Sequence, residues 1–180
     1  EKIEAVVSHL YDEFPAGHPY ADLEIPRSDA EPPVPWVLGS SPSSAEIAGE
    51  IGLPYCFAAF IRPGFAVHSF EAYRDSFRAS ASAGGVDEPR GMVAANAVCA
   101  ETDEEAARQR AVAEAAFRRI QRGEPGRVAS VEAAVDELGG TPDPTPGTLD
   151  EDEWPRALSG SPKTLAGILG QLADRVGVDE

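Results

Sequence analysis

The chain has 180 residues, enough for one domain with a sizeable core and cramped for two. Its formal net charge is −16, from 31 acidic against 15 basic residues, and such a surface repels phosphate backbones and anionic lipid, which excludes nucleic acid and membrane surfaces as expected partners. With 42% apolar residues, this acid excess is not the signature of a disordered chain.

Dense carboxylates on a folded chain are similar to the surfaces of proteins from salt-accumulating halophiles, where molar salt shortens the Debye length to roughly 3 Å and screens self-repulsion. A halophilic source is the expectation. The chain shows no signal peptide and no run of about 18 apolar residues, so it reads as cytoplasmic. Cys56 and Cys99, each inside an apolar run, then read as buried, reduced thiols.

Taken in order, Ile3, Val6, Val7, Leu10 and Phe14 recur at three- and four-residue spacing and predict an amphipathic helix over residues 1–14. Prolines at 15, 19, 26, 32, 33 and 35 make the next stretch an extended connection. Val34 to Leu38 predicts a short strand, Ser44 to Ile51 a helix stopped at Gly52, and Leu53 to Ile61 a buried strand. Phe70, Tyr73 and Phe77 mark a helix over residues 65–77, and the small residues from Ala79 to Pro89 a loop.

Met92 to Ala100 is the third predicted strand, and Thr102 with Glu105 forms a capping-box pattern opening a helix to Gln121. Glu124 to Pro155 reads as loose, with a weak helical patch at Val131 to Leu138 and a solvated acidic turn at Asp150 to Glu153. Ser161-Pro162 then opens a last helix, with Leu165, Ile168, Leu169, Leu172 and Val176 on one face. Three buried strands alternating with helices, and no hairpin signals, predict a parallel α/β fold.

The stretch Gly39-Ser40-Ser41-Pro42-Ser43-Ser44 joins a strand to a helix. A phosphate needs backbone N–H groups and hydroxyls converging on a helix N-terminus, with small residues that let the backbone approach, at the end of a parallel strand where such folds bind ligands. The plain alternative is that Ser43 or Ser44 only caps the helix. His9, His18 and His68 are scattered and the cysteines form no CxxC, so no metal site is expected. His18, in Gly17-His18-Pro19-Tyr20, reads as loop packing.

The run PWVLGSSPSSAEIAGEIGLPYCFA resembles the middle of bacterial luciferase-like, flavin-dependent monooxygenases. FPAGHPY before it, and EAYRDSFRAS, MVAANAVCAETDEEAARQ, RGEPG and GSPKTL…LADRVGVDE after it, follow in the family's order. The resemblance implies a (β/α)8 TIM-barrel fold of which this chain is a single partial domain over residues 1–180. Its strands correspond to the fifth, sixth and seventh, and the N-terminal half and last strand have no counterpart.

By the same resemblance, Gly39 and Ser40 match the start of the family's flavin phosphate loop and Ser43 its second hydroxyl, with Ser41 an added donor by proximity. The luciferase subunit has Glu where Gly39 stands. The implied activity is use of reduced FMN, supplied by a reductase, and O2 to oxygenate a small organic substrate. No catalytic residue is assigned, because the strands around the reactive centre are missing. Alternatives left open are a non-catalytic flavin-binding or interaction module, and an F420-dependent oxidoreductase of the same fold. As protein partners, a second copy of the chain or a complementary half-barrel polypeptide stay open.

Overall fold

The computed structural model describes residues 2–22, 32–80, 84–149 and 154–178. The acidic turn expected at Asp150 to Glu153, and part of the proline-rich connection, lie outside these residues. The elements run α1 (Lys2–Tyr11), β1 (Val37–Gly39), α2 (Pro42–Glu50), β2 (Tyr55–Ala58), α3 (Ala66–Ser76), β3 (Gly91–Ala94), β4 (Asn96–Cys99), α4 (Asp103–Gln121), α5 (Val131–Leu138), β5 (Ala157–Gly160) and α6 (Pro162–Val176). The parallel α/β alternation expected from the sequence is therefore present. The chain packs as two compact units, one from residues 1–57 and 67–92, the other from residues 58–66 and 93–180.

In the first unit β1 and β2 pair in parallel, with Val37 opposite Tyr55 and Gly39 opposite Phe57. The sheet order is β1-β2-β3, and β2 and β3 both run on into the second unit. Every residue of β2 is buried, as expected of a parallel strand covered on both faces. Helix α2 buries Ala45, Ala48 and Gly49 and packs on β1, and Gly49 lets the end of α3 come close, since a Cβ there would meet Ser76 Oγ at 2.2 Å and the Tyr73 carbonyl at 2.7 Å. Helix α3 supplies Phe70 and Tyr73, whose rings lie 5.7 and 5.6 Å from that of Tyr55. The first helix is shorter than its apolar spacing suggested. It stops at Tyr11, Asp12 turns to φ 62°, and Phe14 instead stacks on His18 with ring centroids 4.7 Å apart.

In the second unit β4 and β5 pair in parallel, from Asn96 opposite Ala157 to Cys99 opposite Gly160. Ala106, Ala107, Ala111 and Ala115 form the buried stripe of α4, and alanine's lack of bulk lets this long helix pack on both strands and on α5. Ala111 and Ala115 continue into a cluster with Val128 and Ala134. Helix α6 buries Leu165, Ile168, Leu172 and Val176, while Leu169 is exposed, so its apolar face is narrower than the sequence pattern. Left-handed glycines at 139 and 177 end α5 and α6.

Three local expectations are corrected. The run from Met92 to Ala100 is not one strand: it breaks at Ala95 into β3 and β4, which join different sheets. Cys99 is exposed rather than buried, while Cys56 is buried. At α4 only half of the capping box forms. Thr102 accepts the Glu105 N–H, but the Glu105 carboxylate accepts from the Gln109 side chain, one turn on.

Candidate functional site

The predicted site residues fall on one junction of the first unit. Gly39 ends β1, Ser40 follows half-buried, Ser41 is the N-cap of α2, Pro42 its first residue, and Ser43 lies exposed at its second. The cap is thus neither Ser43 nor Ser44. Pro42 decides this, because proline's fixed φ and missing N–H suit the first helical position, which puts the cap one residue earlier.

The Ser41 and Ser44 hydroxyls are consumed by a reciprocal capping box. Ser41 Oγ accepts the Ser44 N–H at 3.4 Å, the Ser41 N–H points to Ser44 Oγ at 3.3 Å, and Ser44 Oγ donates to the Ser41 carbonyl at 2.7 Å. Ser41 is therefore a structural cap first, with its hydroxyl already engaged by Ser44. The hydroxyls of Ser40 and Ser43 have no hydrogen-bond partner among the described residues. No acidic side chain stands in the first turn of α2. What remains is a helix N-terminus with its partial positive charge, two hydroxyls available among the described residues and no acidic side chain in its own first turn, a donor set that suits a phosphate.

Two close contacts complete the junction, one at the expected Gly39 and one from Tyr55, which the sequence reading missed. Gly39 is tight against Ser44: a Cβ on Gly39 would stand 2.1 Å from Ser44 Oγ. Tyr55, fully buried on β2, brings its hydroxyl to 3.3 Å from Ser44 Oγ and 3.5 Å from the Ser41 carbonyl. Burial pushes the Tyr55 phenol pKa up, and the Ser44 hydroxyl works against that rise. The signal for Tyr55 was the parallel register, which sets it two residues behind Phe57, the partner of Gly39.

A second junction of similar type occurs in the other unit. Ser161 caps α6, Pro162 is its first residue, and Thr164 is its third. Here an anion is already in place. Asp103 accepts the Ser161 N–H at 2.6 Å with Oδ1 and the Thr164 hydroxyl at 3.0 Å with Oδ2. The Ser161 N–H, then the Ser161 and Thr164 hydroxyls, hold the Asp103 carboxyl below the usual carboxylate range.

The histidines do not join either junction. His18 stacks on Phe14 and accepts the Tyr20 N–H through Nδ1 at 3.2 Å, which is the loop packing expected of it, and His68 is exposed on α3. A cavity of about 690 Å³ lies within the first unit, lined by Phe14, His18, Leu53 and Arg78 among others. None of residues 39–44 lines it. Its Leu53 wall precedes β2, whereas residues 39–44 follow β1, so the cavity and the junction lie at different strand ends.

The profile of the luciferase-like monooxygenase family matches residues 13–180. The chain is 32% identical to YceB of Bacillus subtilis strain 168 over 179 residues, which cover 99% of this chain and 51% of that protein. It is 32% identical to a luciferase-like monooxygenase of Escherichia coli K12 over 68% of this chain and 36% of that one. The crystal structure of apo-MsnO8 superimposes with a TM-score of 0.76 at 32% identity, over 100% of this chain and 53% of that one. The chain thus spans about half the length of these fuller relatives.

Proposed function

From the premise that the chain belongs to the luciferase-like monooxygenase family, we propose that it is the C-terminal part of a flavin-dependent monooxygenase, with residues 39–44 binding the 5′-phosphate of FMN. One observation carries the reading: the N-terminus of α2 offers two hydroxyls without protein partners among the described residues and has no acidic side chain in its first turn, whereas the matching junction at α6 is occupied by Asp103.

Ser40 and Ser43 donate to phosphate oxygens, the first turn of α2 places its partial positive charge behind them, and Gly39 lets Ser44 pack against the strand end. Ser41 shapes the turn. Reduced flavin, when bound, supplies the electrons for O2 activation and oxygenation of a small organic substrate, and a separate reductase renews it. This chain's share is to hold and orient the cofactor's phosphate end. The residues that surround the reactive ring belong to the strands with no counterpart here. The single partial-barrel domain over residues 1–180 is part of the same proposal.

The test is a titration of the full-length protein with FMN. Ser40→Ala combined with Ser43→Ala removes two charge-assisted contacts of about 1.5 kcal/mol each, so affinity falls about a hundredfold. Unaltered affinity sinks the assignment. A flavin spectrum on the purified native protein separates FMN from F420, whose phosphodiester would meet the same donor set. A stable protein that binds neither favours the non-catalytic module.

A further inference from the structure

Ser44 Oγ occupies a crowded point. Its single proton goes to the Ser41 carbonyl at 2.7 Å, so towards the Ser41 N–H and the Tyr55 hydroxyl it acts as acceptor. Tyr55 is the only one of these groups that reaches the junction from another element, 11 residues along the chain from Ser44. Its ring is held at a fixed angle by Phe70, edge-on at 5.7 Å, and by Tyr73 at 5.6 Å. Tyr73 is itself pinned, donating to the Leu53 carbonyl at 3.0 Å and accepting the Arg90 N–H at 3.1 Å. Behind the phenol, the buried Ser69 hydroxyl makes no well-formed hydrogen bond, although it lies near enough to act on Tyr55. The aromatic core of the first unit thus reaches the capping box through the Tyr55 hydroxyl.

We infer that Tyr55 is a positioning residue for the anion-binding junction: its hydroxyl fixes Ser44 and the Ser41 carbonyl from the core side, which leaves the outward-facing Ser40 and Ser43 free to meet a phosphate. The inference rests on the phosphate assignment above. It predicts a phosphate-specific effect from a residue that does not touch the ligand, and a purely structural tyrosine would not give one.

The test compares FMN with riboflavin, which lacks the phosphate, by titrating both into the full-length protein, Tyr55→Phe and Ser43→Ala, with thermal denaturation of each. The native protein should prefer FMN, and Ser43→Ala should lose most of that preference. Tyr55→Phe, which keeps the packed ring, should reduce the preference about two- to tenfold with riboflavin affinity unchanged. Tyr55→Phe with the native preference, beside a Ser43→Ala that has lost it, overturns the positioning role and leaves the phosphate assignment standing. Equal loss of both flavins makes Tyr55 a core residue only, and also overturns the inference. A native protein that binds riboflavin as tightly as FMN removes the phosphate assignment and the inference with it.

Discussion

The junctions at Gly39 to Ser44 and at Gly160 to Thr164 are built from nearly the same parts: a parallel strand, a glycine, a serine N-cap, a proline, and a hydroxyl at the third helical position. They differ in what meets the helix N-terminus. At α6 the first residue of α4, Asp103, brings a carboxylate onto the Ser161 N–H and the Thr164 hydroxyl. At α2 the third-position hydroxyl turns back to the Ser41 carbonyl. One junction carries its own anion and serves as a clasp, while the other is finished on the inside and open on the outside. The difference teaches that serine-proline at a helix start is a scaffold, and that the neighbouring side chains decide whether its N-terminus is filled from within the fold or left open.

The sharpest way to break this contrast is the Ser40→Ala, Ser43→Ala pair. Neither hydroxyl bonds the protein among the described residues, so the melting temperature should stay within a degree or so of native while FMN affinity falls about a hundredfold. A large loss of stability without loss of FMN would make the two junctions alike.

A smaller effect is expected from the glycines. A methyl on Gly39 would meet Ser44 Oγ at 2.1 Å and Cβ at 2.5 Å, so Gly39→Ala should push the start of α2 off the strand, destabilise by about 1–3 kcal/mol in urea denaturation, and weaken FMN. Gly160→Ala meets Thr164 Cβ at 2.9 Å, so it should cost less and leave flavin affinity alone.

The smallest effect is the pH dependence of the clasp. A carboxyl whose folded pKa lies below its unfolded value of about 3.9 contributes all its stability above that value and loses it as pH falls through the folded pKa. Asp103 is of this kind. Native protein and Asp103→Asn should therefore differ in melting temperature by a constant amount from pH 7 down to about 4, and the gap should narrow below that. A gap that widens in acid would reverse the sign of the assigned shift.

Much of this was legible in the sequence, and the failures have physical reasons. Start signals located α4 and α6 to within a residue or two: the Thr102 cap for α4, and Ser161-Pro162 with a repeating apolar face for α6. Strand β5 was overlooked because ALSG offers one large apolar residue. Leu158 is 2% exposed, and the strand exists through its ladder with β4, a non-local cause that no local pattern announces. The stretch proposed to bind phosphate was visible as a cluster of hydroxyls, but its division of labour was not. Which serine caps follows from Pro42, whereas the role of Ser44 depends on Tyr55 arriving from β2. Asp103 could not be picked out among 31 acidic residues, because only the fold brings it to Ser161.

The buried pair Thr145 and Ser159 has a consequence of another kind. The Ser159 N–H is taken at 2.8 Å by the Thr145 hydroxyl oxygen, and the two hydroxyls lie 3.1 Å apart with both residues almost fully buried. A backbone donor inside the core is answered by a side chain 14 residues earlier, so the segment carrying Thr145 is tied to β5, and losing that hydroxyl would leave the Ser159 N–H buried and unsatisfied.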